Sequence, residues 1–164
     1  MKKVLASVLT VFAVVVAAPA QAAPAAQEVV LVTTLTSVGT SLNTIGNVKY
    51  GWNDLKGVAN WGKESVSIRL QGDVAYKNDS GPFNGYFTIT KADETQLAFH
   101  VDGQALPVPV SGGIRTNFRG VMNFLQGSGA YSNAQSTGTM IGAREAAIGS
   151  PVKMTLRFTV VPRV

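Results

Sequence analysis

The chain has no cysteine, a single histidine among 164 residues, and charged side chains at only 14% of positions. Without cysteine it cannot form disulfides, thiolate zinc sites, a cysteine nucleophile or a lipid-modified cysteine anchor. The lone histidine excludes histidine-rich metal clusters, and we expect neither a cofactor nor a metal. Hydrophobic residues make up 46% of the chain. This share excludes a disordered, highly charged tail protein and indicates a packed core.

The first 22 residues have the three parts of a secretory signal peptide. A positive start at residues 1–3 precedes an apolar run from Val4 to Ala18, and Ala20-Gln21-Ala22 offers the small residues that a signal peptidase accepts. The apolar run is shorter than the ~20 residues of a membrane-spanning helix, and Pro19 follows it. We predict cleavage after Ala22, although a cut after Ala20 also fits. Residues 23–164 then form one exported domain, periplasmic or extracellular.

Cleavage removes two lysines and lowers the formal net charge from +5 to +3. The remaining cations are scattered along the chain rather than clustered in a basic stripe. Nucleic-acid-binding proteins normally show such a stripe or a recognised module. The sequence therefore predicts no nucleic-acid partner.

Apolar and polar residues alternate with period two through most of the mature chain, which is typical of half-buried strands. Ser65–Tyr76 alternates strictly, and Val152–Val160 repeats the pattern. In the second run Met154, Leu156 and Phe158 are expected to face inward, with Lys153 and Arg157 in water. Further strands are predicted at Val29–Thr36, Phe83–Thr90, Gln96–Asp102, Phe118–Leu125 and Thr137–Ala143.

Short turn signals separate these runs, and no segment keeps a helical period. The fold class is therefore all-β, and a small antiparallel β-barrel of about eight strands is favoured over a sandwich. Glycines inside the strand-like runs are expected to mark bulges or sharp bends at the corners of such a barrel. These glycines are Gly72, Gly85, Gly120, Gly138 and Gly142.

Gly39–Gly62 is less regular and carries both tryptophans. We predict one short strand, Val48–Trp52, within a long loop. Either the loop covers a barrel mouth, or Trp52 and Trp61 seal the end of the barrel as core.

The segment Gln126–Thr139 carries a family resemblance over about 14 residues. It is similar to the pattern G-[ST]-G-x-[YF]-x-x-A-x-G-[ST]-G-[ST] of the allene oxide cyclase and dirigent-like barrel superfamily, although Ser136 stands where the pattern has glycine. The matching residues are Gly127, Ser128, Gly129, Tyr131, Ala134, Thr137, Gly138 and Thr139.

This resemblance implies an eight-stranded barrel with an apolar lumen. The superfamily includes plant enzymes that cyclise an oxylipin epoxide, proteins that steer radical coupling of phenols, and secreted bacterial members of unknown role. None of the polar and acidic residues on which the enzymes depend is matched here, so no catalytic role is carried over. In structural terms, Gly127 and Gly129 permit a tight connection that Tyr131 and Ala134 pack onto the barrel.

Three functions remain open. The first is an exported soluble barrel that binds a small hydrophobic ligand, or whose interior is simply packed. The second is a cyclase or isomerase, which requires polar groups and a carboxylate of shifted pKa inside the barrel. The third is a structural or interaction module with an exposed apolar patch. Whether copies of the chain form a homo-oligomer is also open. For the first function, the residues expected to line the ligand site are Leu70, Phe87, Phe99, Met122, Phe124, Met154 and Phe158.

One further pair of residues is better explained by a position on the barrel surface than by catalysis. His100 and Asp102 share a strand face and resemble a base and its orienting acid, but a solvent-facing histidine is favoured.

An outer-membrane barrel also fits the alternation, with the apolar residues facing lipid. The sparse aromatic residues and several short strands argue against it, so we predict a protein that is not embedded in a membrane.

Overall fold

The structure, a computed structural model, describes residues 25–162; the predicted signal peptide at 1–22 lies outside them. Eight antiparallel strands close into a barrel in chain order, so that the last strand pairs with the first. The strands are β1 (Gln27–Ile45), β2 (Val48–Trp61), β3 (Glu64–Lys77), β4 (Gly81–Thr90), β5 (Gln96–Val110), β6 (Gly113–Gly127), β7 (Gln135–Arg144) and β8 (Val152–Val161). The all-β, eight-stranded antiparallel barrel predicted from the period-two pattern is confirmed.

The inward faces carry the apolar residues, as the alternation in the sequence requires. On β8, Leu156 is fully buried and Phe158 is 3% exposed, whereas Lys153 and Arg157 lie on the outer face. The inward and outward assignment of this strand is therefore confirmed. Because the same alternation holds on the other strands, one continuous hydrophobic core fills most of the barrel.

The predicted loop between Gly39 and Gly62 is wrong. The segment is a long hairpin of β1 and β2, paired from Ile45 with Val48 down to Thr36 with Lys56. Its outward polar residues and its glycines resemble loop composition. Pairing with β3 along the whole of β2 nevertheless holds the segment in the sheet.

Of the bulges or sharp bends predicted at the in-strand glycines, the bulges are wrong. The pairing register is continuous at all five positions, and the shifts lie instead between Ser37 and Gly39 and between Ala98 and Phe99. The glycines are required by close approach of neighbouring strands. At Gly138, a Cβ atom would lie 2.5 Å from the Arg157 carbonyl oxygen and 2.6 Å from the Phe158 Cβ.

One end of the barrel, here called the closed end, is sealed by aromatic packing. The Trp61 ring lies 5.5 Å from Phe158 in an edge-to-face contact and 5.9 Å from Tyr131. Tyr131 belongs to a short 3₁₀ helix, Gly129–Tyr131, in the connection between β6 and β7. Tyr131 and the buried Ala134 pack this connection onto the barrel, as predicted from the glycine-rich segment.

The other end, here called the open end, is flanked by two hairpins. β1 continues for ten residues beyond its last pair with β8, Leu35 with Val152. Residues 106–115 of the β5–β6 hairpin likewise extend beyond the pairs that these strands make with β4 and β7. In an eight-stranded ring these hairpins stand on opposite sides of the barrel mouth.

Candidate functional site

A cavity of about 50 Å³ lies inside the open end of the barrel. Its wall is mainly apolar, and Ile148, from the loop between β7 and β8, packs against the core beside it. The residues around it are Asn53, Leu55, Leu70, Gly72, Asp73, Val74, Tyr76, Phe83, Asn84, Phe118, Met140, Arg144, Ile148, Val152 and Met154. Within residues 25–162, this is where the packed interior gives way to open space.

Missing side chains help to create that space. Gly72 lies between Leu70 and Val74 on the inward face of β3, and it pairs with Gly85 on β4. Neither glycine contributes a side chain to the interior. A Cβ atom on Gly72 would lie 2.6 Å from the Asn84 carbonyl oxygen, so the close approach of β3 and β4 excludes larger residues here.

Arg144 is the charged residue of this interior. It ends β7, its side chain is 4% exposed, and it pairs across the sheet with Thr116 on β6. Its Nε donates a hydrogen bond to the Ala146 carbonyl oxygen at 2.9 Å, and Nη2 makes a long contact of 3.4 Å to the Thr116 hydroxyl. The guanidinium carbon lies 5.4 Å from the centre of the Phe118 ring, which is cation–π distance.

Burial shifts the pKa values of two polar groups that line the cavity, Tyr76 and Arg144. It raises the pKa of Tyr76 to about 12, against a smaller opposing effect of the positive charge on Arg144. Burial lowers the pKa of Arg144, opposed by Tyr76 and Asp79. An arginine remains protonated at neutral pH even so, because its ordinary pKa is far above 7. The cavity therefore contains a neutral phenol and a positive guanidinium.

The seven residues predicted to line a ligand site all point into the barrel. Six of them are less than 9% exposed, and Phe124 is partly buried against the same core. Leu70 and Met154 border the cavity. The other five pack between the cavity and the closed end, as in the contacts of Phe99 with Phe124 at 5.4 Å and with Phe158 at 5.1 Å. These five are Phe87, Phe99, Met122, Phe124 and Phe158.

The His100–Asp102 pair lies on the outer face of β5. His100 Nδ1 is 3.1 Å from the Asp102 carboxylate, and the Tyr86 ring packs 5.3 Å from the imidazole. Both residues are too far toward solvent to meet a molecule inside the barrel, since Asp102 is 56% exposed and the strand turns its other face inward. The structure thus favours the plain interpretation of this pair.

The acidic residues are distributed over the outer surface of residues 25–162. Glu64 binds Lys91 at 2.7 Å, and Glu145 binds Arg115 at 2.9 Å. Asp73 borders the cavity, but its side chain is exposed and lies 3.3 Å from the Asn84 amide nitrogen. The inward carboxylate that an isomerase requires is not found in the described part of the chain.

Sequence reasoning missed Arg144 because the predicted strand stopped at Ala143. On β7 the inward positions are Gly138, Met140, Gly142 and Arg144, so the period-two pattern extended by a single residue places Arg144 inside. The alternation in Ser65–Tyr76 puts Tyr76 on the inward face of β3, but the pattern does not mark it as part of a site.

Comparison with known proteins gives no match: no family model, no curated protein and no solved structure is similar to this chain. Residues 25–162 contain no helix with the length and apolar character needed to cross a membrane. Over the same residues, no cluster of three or more histidine, aspartate or glutamate side chains is arranged to hold a metal ion.

Proposed function

We propose that this protein is an exported, soluble barrel that binds a small apolar molecule in the cavity at its open end. The observation that carries this proposal is the contrast between the two ends of the barrel. Aromatic side chains fill the closed end, whereas a mainly apolar cavity remains at the open end. An eight-stranded barrel is wide enough either to be filled by side chains or to hold one small ligand.

The cavity size limits the ligand. An engineered cavity that binds benzene has ~150 Å³, and the space here is about 50 Å³. It accepts one end of a slender molecule, while the remainder lies at the mouth between the two hairpins. Ile114 on the β5–β6 hairpin continues the inward face of β6 beyond Thr116 and Phe118, and its exposed side chain is apolar. Met140 and Met154 border the cavity with flexible side chains that adapt to a ligand.

The distribution of side chains supports a protein in water. Charged and polar residues such as Arg69, Lys153 and Arg157 cover the outer faces of β3 and β8, and apolar residues fill the interior. A transmembrane barrel has the opposite arrangement, with apolar residues outside and polar residues within. Export rests on the signal-peptide pattern of residues 1–22.

Membership of the allene oxide cyclase and dirigent-like superfamily remains a proposal. It is supported by the glycine-rich segment Gln126–Thr139, whose Gly129 adopts a φ of +54° in the connection that seals the closed end. A binding role is favoured over an isomerase role because Asp73, the acidic residue that borders the cavity, is exposed on the outer face of β3.

Native mass spectrometry of protein purified from its own cells tests the proposal. We expect the mass of a chain that begins at Ala23, together with a small-molecule adduct that is lost on collisional activation. Val74→Phe places a ring in the cavity and should abolish the adduct. Val58→Phe, at an outward position 66% exposed, is the matched control and should retain it. A wild-type protein that carries no adduct and binds no added apolar molecule would overturn the binding role, and an intact N-terminus would overturn export.

A further inference from the structure

The charge of Arg144 is buried without a counter-charge. No carboxylate in residues 25–162 lies within ion-pair distance of its guanidinium. The ion pairs found among these residues all involve other cations. Asp79 is the acidic group whose charge reaches Arg144, and its carboxylate is already bound to Lys49 at 3.0 Å. Burying a charge is costly unless it is paired and hydrogen-bonded.

The hydrogen bonds of Arg144 are also incomplete. A guanidinium has five N–H donors. Within the described residues Arg144 uses one on the Ala146 carbonyl and one, at 3.4 Å, on the Thr116 hydroxyl. The other three donors have no hydrogen-bond partner among those residues, and Arg144 borders the cavity. The planar fork of a guanidinium matches the two oxygens of a carboxylate, which takes two parallel N–H bonds and supplies the missing negative charge.

The position of the guanidinium is fixed by its surroundings. Phe118 supports one face, and the bond from Nε to the loop carbonyl of Ala146 orients the plane. Tyr76, held neutral by burial, borders the same cavity and retains a hydroxyl donor. A bound acid therefore meets positive charge and donors at the cavity, with apolar wall for the carbon atoms next to its carboxylate.

We propose that Arg144 binds the carboxylate of a small apolar acid in the cavity, so that the barrel selects acids over neutral molecules of the same shape. This inference rests on the proposed binding function and adds the chemical class of the ligand. Since the cavity of about 50 Å³ does not hold a ring system, the matching probe is a short linear acid.

The test compares hexanoate with 1-hexanol by NMR titration of the ¹⁵N-labelled protein at neutral pH. We expect hexanoate to bind the wild-type protein at least about tenfold more tightly, which corresponds to a hydrogen-bonded charge pair. Arg144→Met keeps an unbranched side chain out to about the position of Nε and removes the charged guanidinium, and it should bring the two dissociation constants within about twofold. Arg119→Met, on the outer face of β6, is the matched control and should retain the preference.

The outcomes separate this inference from the proposed function. Equal binding of acid and alcohol by the wild-type protein overturns the carboxylate preference and leaves apolar binding intact. Binding of neither compound overturns both. Loss of the preference in Arg119→Met as well as in Arg144→Met would show that general surface charge is responsible, and would overturn the role of Arg144. If Arg144→Met does not fold, the wild-type comparison decides the preference, and Arg144→Lys, which retains a charge but no planar fork, should reduce it.

Discussion

The guanidinium of Arg144 lies against the ring of Phe118, 5.4 Å from its centre, inside the open end of the barrel. The two residues come from the neighbouring strands β7 and β6, and Arg144 brings a positive charge into a mainly apolar interior. Such a buried charge costs stability unless it is paired. The carboxylate ligand proposed above would pair it.

This cost is measurable. Arg144→Met removes the uncompensated charge and keeps apolar contact with Phe118, so we expect the free energy of unfolding in urea to rise by about 1 kcal/mol. The rise is limited because the Ala146 carbonyl loses its donor. Arg157→Met, at an exposed position on β8, should change the free energy by no more than about 0.5 kcal/mol. A loss of several kcal/mol on Arg144→Met would indicate a structural role for the guanidinium.

The two faces of β8 should respond differently to truncation. Phe158→Ala removes a ring that packs on Trp61 and Phe99, and it should cost about 3–5 kcal/mol of unfolding free energy. Arg157→Ala should change it by no more than about 0.5 kcal/mol, because the side chain is exposed. Urea melts in plain buffer measure both. Equal damage from the two substitutions would contradict the inward and outward assignment of the strand.

The two tryptophans should differ in their access to solvent. Trp61 is 8% exposed at the closed end, whereas Trp52 is 39% exposed on the hairpin at the open end. Acrylamide should therefore quench the fluorescence of Trp61→Phe, which retains Trp52, several times more strongly than that of Trp52→Phe. Similar quenching of the two variants would mean that the closed end is not sealed.

Tyr76 makes the protein sensitive to alkali. Burial raises its pKa in the folded protein to about 12, and an unfolded tyrosine titrates near 10. Above pH 10 the unfolded chain loses this proton first, so the free energy of unfolding falls as the pH rises. The contribution is complete well below pH 10, and about 2 kcal/mol is lost between pH 10 and pH 12.

Tyr76→Phe removes this group and serves as the control. The difference between the two proteins in unfolding free energy should change by that amount between pH 10 and 12. In a pH titration followed by phenolate absorbance, the wild-type protein should show a step near pH 12 that Tyr76→Phe lacks. If the step that the variant lacks lies near pH 10 instead, Tyr76 is accessible to water.

The fold could be predicted from the sequence because each strand of an antiparallel barrel with a packed interior alternates apolar inward residues with polar outward residues. Ser65–Tyr76 shows this most clearly, and its inward residues Val66, Ile68 and Leu70 are all buried. Pairing could not be predicted in the same way for β2. In β2 the outward polar residues and Gly57 resemble loop composition, and the strand becomes evident only from its pairing with β1 and β3.

The candidate site was less accessible to sequence reasoning. Alternation identifies which residues face inward, but not how well they fill the space. Phe87 and Leu70 both occupy inward positions of alternating strands, yet Phe87 is packed in the core and Leu70 borders the cavity. The difference depends on Gly72 and Gly85, which become partners only when β3 and β4 pair.

The most direct test of the central claim, a ligand site at the open end and a packed core beyond it, is NMR of the methionine methyl groups. Met140 and Met154 border the cavity, whereas Met122 is fully buried outside its lining. With ¹³C-methyl-labelled methionine, hexanoate should shift the signals of Met140 and Met154 and leave that of Met122 unchanged. Shifts of all three signals, or of Met122 alone, would contradict a site confined to the open end.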